Sequence, residues 1–262
     1  MTELEPYASA RVDVARFPDG GVVDDRVAVE EPLEIRINGA PVAITMRTPG
    51  HDDELALGFC VTEGLAPIAA SLPDDLAANT VEVTSHGDVP PRVARNFYTS
   101  SSCGVCGKGA LEAVAVEAPV VTSDLHVAVE LIAELPRRLR DAQPTFDVTG
   151  GLHATGLFDA QGELVCIRED VGRHNAMDKV IGWAFRENRL PLSDGILCVS
   201  GRVSFELVQK AAVAGGPIVV AVGAPSSLAV DLAADRNITL CGFVRDGRVN
   251  VYSAVSRVMQ TV

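Results

Sequence analysis

The second half of the chain contains the same order of elements three times: an apolar strand, a loop rich in small residues, and a helix. The predicted strands occupy residues 163–167, 195–199 and 217–222, and each is followed by its own loop and helix. Parallel strands need a helical crossover between them, and such helices then cover the faces of the sheet. The pattern therefore predicts an α/β fold with a three-layer α/β/α domain around a mostly parallel sheet.

The chain ends in a predicted β-hairpin. Residues 238–244 and 249–252 have the composition of strands, and the dipeptide Asp246-Gly247 lies between them. Asp-Gly tolerates the positive φ angles that a two-residue hairpin turn requires. This hairpin would add antiparallel strands at the edge of the sheet.

The first part of the chain predicts a smaller α+β unit. Apolar residues alternate over 33–48 around Asn38-Gly39, which indicates another hairpin, and a helix is expected to follow and to end at Gly64. Residues 1–30 show little periodicity and are expected to form an irregular arm.

These patterns divide the chain into three regions. We expect an N-terminal α+β subdomain over residues 1–96, a connector with a CxxC motif over 97–123, and an α/β cofactor-binding domain over 124–262. A segment rich in Asp and Pro, 72–91, surrounds a short predicted strand, and its role is open.

Composition restricts the classes of partner. The 262 residues include 22 Lys and Arg against 35 Asp and Glu, which gives a net charge of −13 at pH 7. Such a surface repels nucleic acid and anionic lipid, so neither nucleic acid nor membrane is an expected partner. Glycine and proline interrupt the most apolar stretch, 211–234, and the N-terminus has no signal-peptide pattern. We therefore expect a cytoplasmic protein with reduced cysteines.

The three strand-to-helix loops predict an anion site. Parallel strands bring their carboxyl ends to one edge of a sheet, where each loop presents the free N–H groups of a helix N-terminus. Arg173 and Arg202 lie in two of these loops, and His174 stands at the start of a helix. A phosphate or pyrophosphate group would suit this edge.

A structural alternative exists for the same loops. Ser204, Ser226 and Ser227 would then serve only as helix caps, and the arginines would be solvated. The sequence contains no GxGxxG or P-loop motif, so ordinary dinucleotide or NTPase chemistry is not supported.

Cys103-Gly104-Val105-Cys106 is the sharpest local motif. It lies in a stretch of small residues, 100–109, whose glycines are expected to leave both sulfurs accessible. Lys108 would favour the thiolate, which is the form that attacks sulfur and binds metal. The motif alone fits four roles: half of a zinc site, a thioredoxin-like dithiol, a carrier of persulfide sulfur, or a loop without chemistry.

The remaining cysteines narrow this choice. They stand singly in apolar segments typical of a protein core, and the five histidines form no pair, so a second half of a zinc site is missing. The H-x-E and P-C-x-x-C signatures of zinc deaminases are also missing from the sequence. We therefore expect no metal site and no deaminase chemistry. The four single cysteines are Cys60, Cys166, Cys198 and Cys241.

Several motifs together resemble the FdhD/NarQ family of formate dehydrogenase accessory sulfur carriers. The run EDVGRHNAMDK at 169–179 is long enough to be specific by itself, and the CxxC segment is another match. The matching stretches extend over roughly residues 30–253. The others are ALGF at 56–59, TEG at 62–64, TGGLH at 149–153, SGR at 200–202, FELVQK at 205–210 and SSLAV at 226–230.

The resemblance implies a fold and a function. The fold would be similar to the cytidine deaminase-like class with an added N-terminal part, in a protein that tends to form homodimers. The protein would be a sulfurtransferase-type carrier that accepts persulfide sulfur from a cysteine desulfurase. It would transfer this sulfur to the bis(molybdopterin guanine dinucleotide) molybdenum cofactor before the cofactor is inserted into formate dehydrogenase.

The resemblance also assigns roles to residues. Cys103 would bear the persulfide, and Cys106 would be its relay or resolving partner. Together with the loop residues Arg173, His174 and Arg202, the terminal hairpin would bind the anionic cofactor. The hairpin residues implied in this way are Phe243, Val244, Arg245, Asp246, Gly247 and Arg248.

Other interpretations stay open at this point. Glu169 and Asp170 stand beside the expected anion site, where they would either bind the guanine edge or fix Arg173. A non-catalytic chaperone that binds the molybdenum cofactor, or a dithiol oxidoreductase, would also fit the motifs. The sequence does not show whether Cys106 is essential, which proteins donate and receive the sulfur, or what the oligomeric state is.

Overall fold

The computed structural model of the protein describes residues 7–18, 20–73, 79–87, 89 and 116–260. Its strands are β1 (Ser9–Ala15), β2 (Val22–Ala28), β3 (Glu31–Ile37), β4 (Ala40–Arg47), β5 (Ala66–Ser71), β6 (Thr80–His86), β7 (Val127–Ala128), β8 (His153–Phe158), β9 (Leu164–Asp170), β10 (Ile196–Val199), β11 (Ile218–Ala221), β12 (Thr239–Arg245), β13 (Arg248–Ser253) and β14 (Val258–Met259). Its α-helices are α1 (Asp52–Thr62), α2 (Val129–Asp141), α3 (Pro144–Thr149), α4 (Arg173–Arg186), α5 (Phe205–Val213) and α6 (Ser227–Asp235), and a short 3-10 helix covers Val255–Arg257. In these ranges, no helix has the length and apolar character that a bilayer span requires.

The larger sheet is mixed. Its six strands follow the order β13-β12-β11-β10-β8-β9. The pairs β10–β11 and β11–β12 are parallel, and the pairs toward both edges are antiparallel. The prediction of a mostly parallel sheet was therefore wrong, whereas the antiparallel terminal hairpin β12–β13 is confirmed.

The error comes from β8, which sequence patterns did not reveal as a strand. Its residues, HATGLF, include a histidine and a glycine, and all but the first are buried, so neither composition nor alternation marks them. A short turn joins β8 to β9, and the Asp159 carboxylate closes it by accepting hydrogen bonds from the Gln161 and Glu163 amides, both at 2.9 Å. A connection this short joins antiparallel strands, because a parallel pair needs a longer crossover.

Four strands still run in one direction, because β8 is antiparallel to both of its neighbours, β9 and β10. Their carboxyl ends meet at one edge, as predicted. There the Gly223 amide donates to the Gly201 carbonyl (3.0 Å), and the Val203 amide donates to the Ala224 carbonyl (3.1 Å). In the terminal hairpin, the Phe243 amide donates to the Gly223 carbonyl (3.1 Å), which connects the hairpin to the same loops. The loops therefore form one connected surface.

Helices cover both faces of the larger sheet. One apolar cluster joins α4, α5 and α6 to one face and includes the buried side chains of Met177, Leu207 and Ala229. A second cluster joins α2 to the opposite face through Ile132 and Leu135. The sheet thus lies between helices, and the similarity to the deaminase-like class stays a prediction.

The N-terminal part contains a four-stranded sheet in the order β4-β3-β6-β5, against which α1 packs. The predicted hairpin β3–β4 is confirmed, with Asn38 and Gly39 at φ angles of 51° and 84°. The predicted irregular arm was wrong, because β1 and β2 form an antiparallel ribbon. Every side chain of this ribbon is exposed or half-buried, so its sequence carries no apolar period.

Helices α1 and α4 cross at close range. A Cβ atom on Gly58 would overlap the Asp178 carbonyl, and one on Gly182 would overlap the Glu54 carbonyl. Glycine lets the two backbones approach this closely because it has no side chain. The buried Glu54 carboxylate also accepts a hydrogen bond from the Arg168 Nη2 atom at 2.9 Å. The close helix packing and the hydrogen bond between Arg168 and Glu54 therefore join the N-terminal part to the larger sheet.

Candidate functional site

The two cysteines of the CxxC motif, Cys103 and Cys106, lie outside the described residues. Burial raises the pKa of each of the other four, to about 12 for Cys60. A thiol must ionise before it attacks sulfur or binds a metal, so these four are core residues without such chemistry. Within the described ranges, no group of three or more potential metal ligands comes together. The four buried cysteines are Cys60, Cys166, Cys198 and Cys241.

A cleft of about 750 Å³ opens at the carboxyl edge of the larger sheet. It lies between α2 and the turn that joins β12 to β13, and its floor includes Ser200 and Val222, which follow β10 and β11. Pockets of this size hold nucleotide-sized ligands. Four residues of the expected cofactor-binding stretch line the cleft: Val244, Arg245, Asp246 and Gly247.

A β-bulge shapes the hairpin that forms one wall of the cleft. The register between β12 and β13 shifts between Gly242 and Arg245, and Phe243 has a φ of 52°. A bulky residue at positive φ is strained, and bulges at sheet edges redirect side chains next to functional sites. Phe243 is 40% exposed, beside the cleft rather than on its walls. Arg245 and Arg248 are register partners across the turn, so both stand at the hairpin tip.

Of the other expected residues, Arg173 and His174 are the first two residues of α4, and Arg202 lies in the loop after β10. None of the three lies on the walls of the cleft. The His174 Nε2 atom lies 3.2 Å from the Ser204 hydroxyl. Burial, together with the positive charges of Lys210 and Arg173, lowers the pKa of His174 to about 4. His174 is therefore neutral at pH 7 and offers a hydrogen bond rather than a charge.

His153 lies between these three residues and the cleft, and the sequence patterns did not reveal it as a site residue. It lines the cleft, and a Cβ atom on Gly201 would lie 3.2 Å from its imidazole. Burial lowers the pKa of His153, and the positive charges of Arg173 and Arg202 act in the same direction. The Nε atom of Arg173 is buried without a hydrogen-bond partner in the described part of the chain, which leaves a donor for an anion. The available signal was the TGGLH motif, whose last residue, His153, begins the unpredicted strand β8.

Helix capping explains part of the same edge. Ser226 accepts a hydrogen bond from the Ala229 amide at 3.3 Å and caps α6. Ser204 precedes α5 without a side-chain cap and contacts His174 instead. The capping alternative therefore holds for α6 and not for α5.

Glu169 and Asp170 stabilise the loops around the site, and the structure favours neither of the two roles considered for them. The Glu169 carboxylate accepts hydrogen bonds from the amides of Thr145 (2.9 Å) and Phe146 (2.8 Å) at the start of α3. Asp170 is fully buried and forms an ion pair with Lys179 at 2.8 Å. Both carboxylates are thus occupied inside the protein.

His174 should make the stability of the fold depend on pH. Folding lowers its pKa from 6.5 to about 4, so between these values the unfolded chain binds a proton that the folded protein does not. Above pH 6.5, His174 is neutral in both states and the free energy of unfolding is fully retained. As the pH falls toward 4, protonation of His174 in the unfolded chain lowers the free energy of unfolding by up to about 3 kcal/mol. Urea unfolding of the His174→Gln variant should therefore show a flatter profile across this range.

The matched control is His86→Gln, because His86 is exposed on the smaller sheet. This variant should keep the pH profile of the unmodified protein. If His174→Gln and the unmodified protein showed identical pH profiles, the pH dependence of stability could not be assigned to His174.

Comparison with known proteins agrees with the sequence motifs. Residues 28–259 match the model of the FdhD/NarQ family. A Streptomyces avermitilis protein named sulfur carrier protein FdhD is 51% identical over 267 residues, which cover 95% of each chain. A Mycobacterium tuberculosis protein of the same name is 45% identical, with 96% of this chain and 99% of that protein covered.

A solved structure is similar across nearly the whole chain. It is the crystal structure of a candidate formate dehydrogenase accessory protein from Desulfotalea psychrophila, with a TM-score of 0.78 and 26% sequence identity. The similarity covers 96% of this chain and 100% of that one. Family model, relatives and structure agree, and the chain belongs to the FdhD/NarQ family.

Proposed function

We propose that the protein is a sulfur carrier in the maturation of formate dehydrogenase. It accepts persulfide sulfur from a cysteine desulfurase and transfers it to the bis(molybdopterin guanine dinucleotide) molybdenum cofactor, which is its cargo. The names of the relatives support the sulfur-carrying role, and the similar crystal structure supports the connection with formate dehydrogenase.

The distribution of cysteines carries the proposal. Four of the six cysteines are buried, and burial raises the pKa of each, which keeps them from forming thiolates at neutral pH. The remaining two are Cys103 and Cys106, which share one motif next to Lys108. We therefore assign the sulfur chemistry of this chain to Cys103 and Cys106.

Acceptance of sulfur is a thiol–persulfide exchange. The Cys103 thiolate attacks the outer sulfur of the desulfurase persulfide, a new S–S bond forms, and the desulfurase cysteine leaves as a thiolate. The sulfane sulfur changes partner without net oxidation or reduction. In the resolving role, the Cys106 thiolate attacks the Cys103 sulfur, forms the Cys103–Cys106 disulfide and releases hydrosulfide, so that the two cysteines supply both electrons. A dithiol reductant must then reduce the disulfide before the next cycle.

The cleft is the proposed site of the cargo. A guanine dinucleotide carries pyrophosphate groups, and guanidinium groups bind such groups through paired, charge-assisted hydrogen bonds. Arg245 lines the cleft. Arg173, at the start of α4, and Arg202, in the loop after β10, both lower the pKa of the cleft residue His153 and so lie near it. These local positive charges suit an anionic cargo although the chain as a whole has a net charge of −13.

Arg245→Ala should weaken the binding of a guanine nucleotide more than Arg248→Ala does. Arg245 lines the cleft, whereas Arg248 stands across the turn. A hydrogen bond from a charged group contributes about 1.5–3 kcal/mol, so the affinity for GDP should fall by roughly 10- to 100-fold in the Arg245 variant. Calorimetric titration at constant ionic strength measures both variants, and equal affinities would place the nucleotide elsewhere.

Sulfur transfer from a purified desulfurase tests the proposed function. The full chain is incubated with the desulfurase and cysteine, and a one-sulfur adduct on Cys103 or Cys106 that dithiothreitol removes is the expected result. The absence of an adduct on both cysteines would overturn the carrier function. Formate dehydrogenase activity that survives the double variant Cys103→Ala, Cys106→Ala would favour a cofactor-binding chaperone. A reversible disulfide without any sulfur adduct would favour a dithiol oxidoreductase.

A further inference from the structure

One polar side chain on the wall of the cleft has a buried hydrogen-bond donor without a partner among the described residues. Gln143 connects α2 to α3, is only 2% exposed and lines the cleft. Its amide nitrogen is buried and finds no hydrogen-bond partner among the described residues. A buried amide without a partner destabilises a protein, so folded proteins rarely retain one. The unused donor at the wall of a cleft therefore indicates a ligand.

The residues next to Gln143 offer a flat surface. The Arg140 guanidinium lies over the Phe146 ring, 4.6 Å from its centre, and both residues line the cleft. Leu152 and Val244 add buried apolar walls to the same cleft. Aromatic rings and planar guanidinium groups stack on flat heteroaromatic ligands. The cleft thus combines a stacking surface with a carboxamide whose nitrogen has no partner in the described part of the chain.

A carboxamide presents a donor and an acceptor side by side. The complementary group on a ring is a carbonyl next to an N–H, and the 2-amino-4-oxopyrimidine ring presents this edge. Guanine and pterin both contain that ring, and the proposed cargo carries both. The two hydrogen bonds form in parallel, which gives the pair its specificity.

We propose that Gln143 binds the 2-amino-4-oxopyrimidine edge of the cargo, while the Arg140 guanidinium, held over the Phe146 ring, stacks on the heterocycle. Gln143 then determines the specificity of the cleft for this class of heterocycle. The inference rests on the proposed function, because the molybdenum cofactor supplies the ring.

Binding of GMP and of free pterin to the Gln143→Leu variant tests the proposal. Leucine keeps the approximate volume and removes both hydrogen bonds, so the affinity for the bound probe should fall by roughly 10- to 100-fold. A loss with GMP alone assigns guanine, a loss with pterin alone assigns pterin, and a loss with both assigns the shared edge. Purine riboside 5′-monophosphate lacks the carbonyl and the amino group, so its affinity should be the same in both proteins.

The melting temperature of the free protein separates recognition from a structural role. Leucine removes an unpaired buried donor, so the variant should melt at the same or a higher temperature than the unmodified protein. A lower melting temperature would show that Gln143 has a partner within the fold and would overturn the proposal. The matched control is Gln161→Leu, an exposed position outside the cleft, which should leave both affinities unchanged.

Two further results would overturn the proposal. One is equal affinity of the unmodified protein and the Gln143→Leu variant for GMP and for pterin, and the other is failure of the unmodified protein to bind either probe. Neither result touches the sulfur-carrier function, because the persulfide adduct is measured without nucleotide. Conversely, absence of the persulfide adduct would contradict the sulfur-carrier function, and the binding measurements would still test the heterocycle site.

Discussion

Cys103→Ala is expected to lose the sulfur adduct that the unmodified protein acquires from a cysteine desulfurase and cysteine. The thiolate is the nucleophile of persulfide exchange, and alanine has no group that replaces it. The yield of adduct should fall by at least roughly 100-fold, as expected when an enzyme loses its nucleophile. Mass spectrometry of the intact chain and of its peptides measures the yield and the position of the sulfur.

Two further variants make this result specific. Cys106→Ala should still acquire sulfur on Cys103, because the acceptance step needs a single thiolate, but it should release hydrosulfide more slowly. Cys166→Ala should behave like the unmodified protein, since Cys166 is buried and burial raises its pKa to about 12. An adduct that survives in Cys103→Ala and disappears in Cys106→Ala would move the accepting role to Cys106.

Gly182→Ala is expected to cause a large loss of stability. Alanine usually stabilises a helix relative to glycine, but here its methyl group would overlap the Glu54 carbonyl of α1. The obstacle is a backbone atom, so relief requires that one helix move away from the other. Overpacking of this kind should lower the free energy of unfolding by roughly 3 kcal/mol or more, as measured by urea denaturation.

Gly151→Ala is the matched control. Gly151 is exposed, and the atom nearest to an added Cβ would be the Ala28 Cβ at an ordinary 3.5 Å. Its free energy of unfolding should stay within about 1 kcal/mol of the original value. If Gly182→Ala were as stable as this control, the close crossing of α1 and α4 would be refuted.

Local signals explain which parts of the fold could be predicted. Each confirmed hairpin contains its own turn dipeptide, Asn38-Gly39 or Asp246-Gly247, and such a turn depends little on distant residues. The strand-to-helix loops were predictable for the same reason, because the spacing of apolar residues changes from the strand pattern to the helix pattern at each loop. The local signal at Asp246-Gly247 predicted the terminal hairpin, whereas its place in the cofactor-binding stretch was implied by the family resemblance. Residues 244–247 of this hairpin line the cleft.

Features that depend on distant neighbours were not predictable in this way. β8 is a strand because β9 and β10 enclose it on both sides, and the direction of β8 decides that the sheet is mixed. His153 and Gln143 reach the cleft from segments far from the terminal hairpin along the chain. Their polar character alone is typical of surface residues, and only the folded arrangement shows that they line a binding site.

The hydrogen bonds between the loops after β10 and β11 have a consequence for the entropy of binding. The amides of Val203 and Gly223 are already paired with protein carbonyls, so the loops beneath the cleft have little conformational freedom left to lose. We therefore expect that most of the conformational entropy lost on binding comes from the two flexible guanine dinucleotide groups of the proposed cofactor. If the protein carries the cofactor as proposed, an enzyme that takes it from this cleft would receive guanine dinucleotide groups whose conformations are already selected.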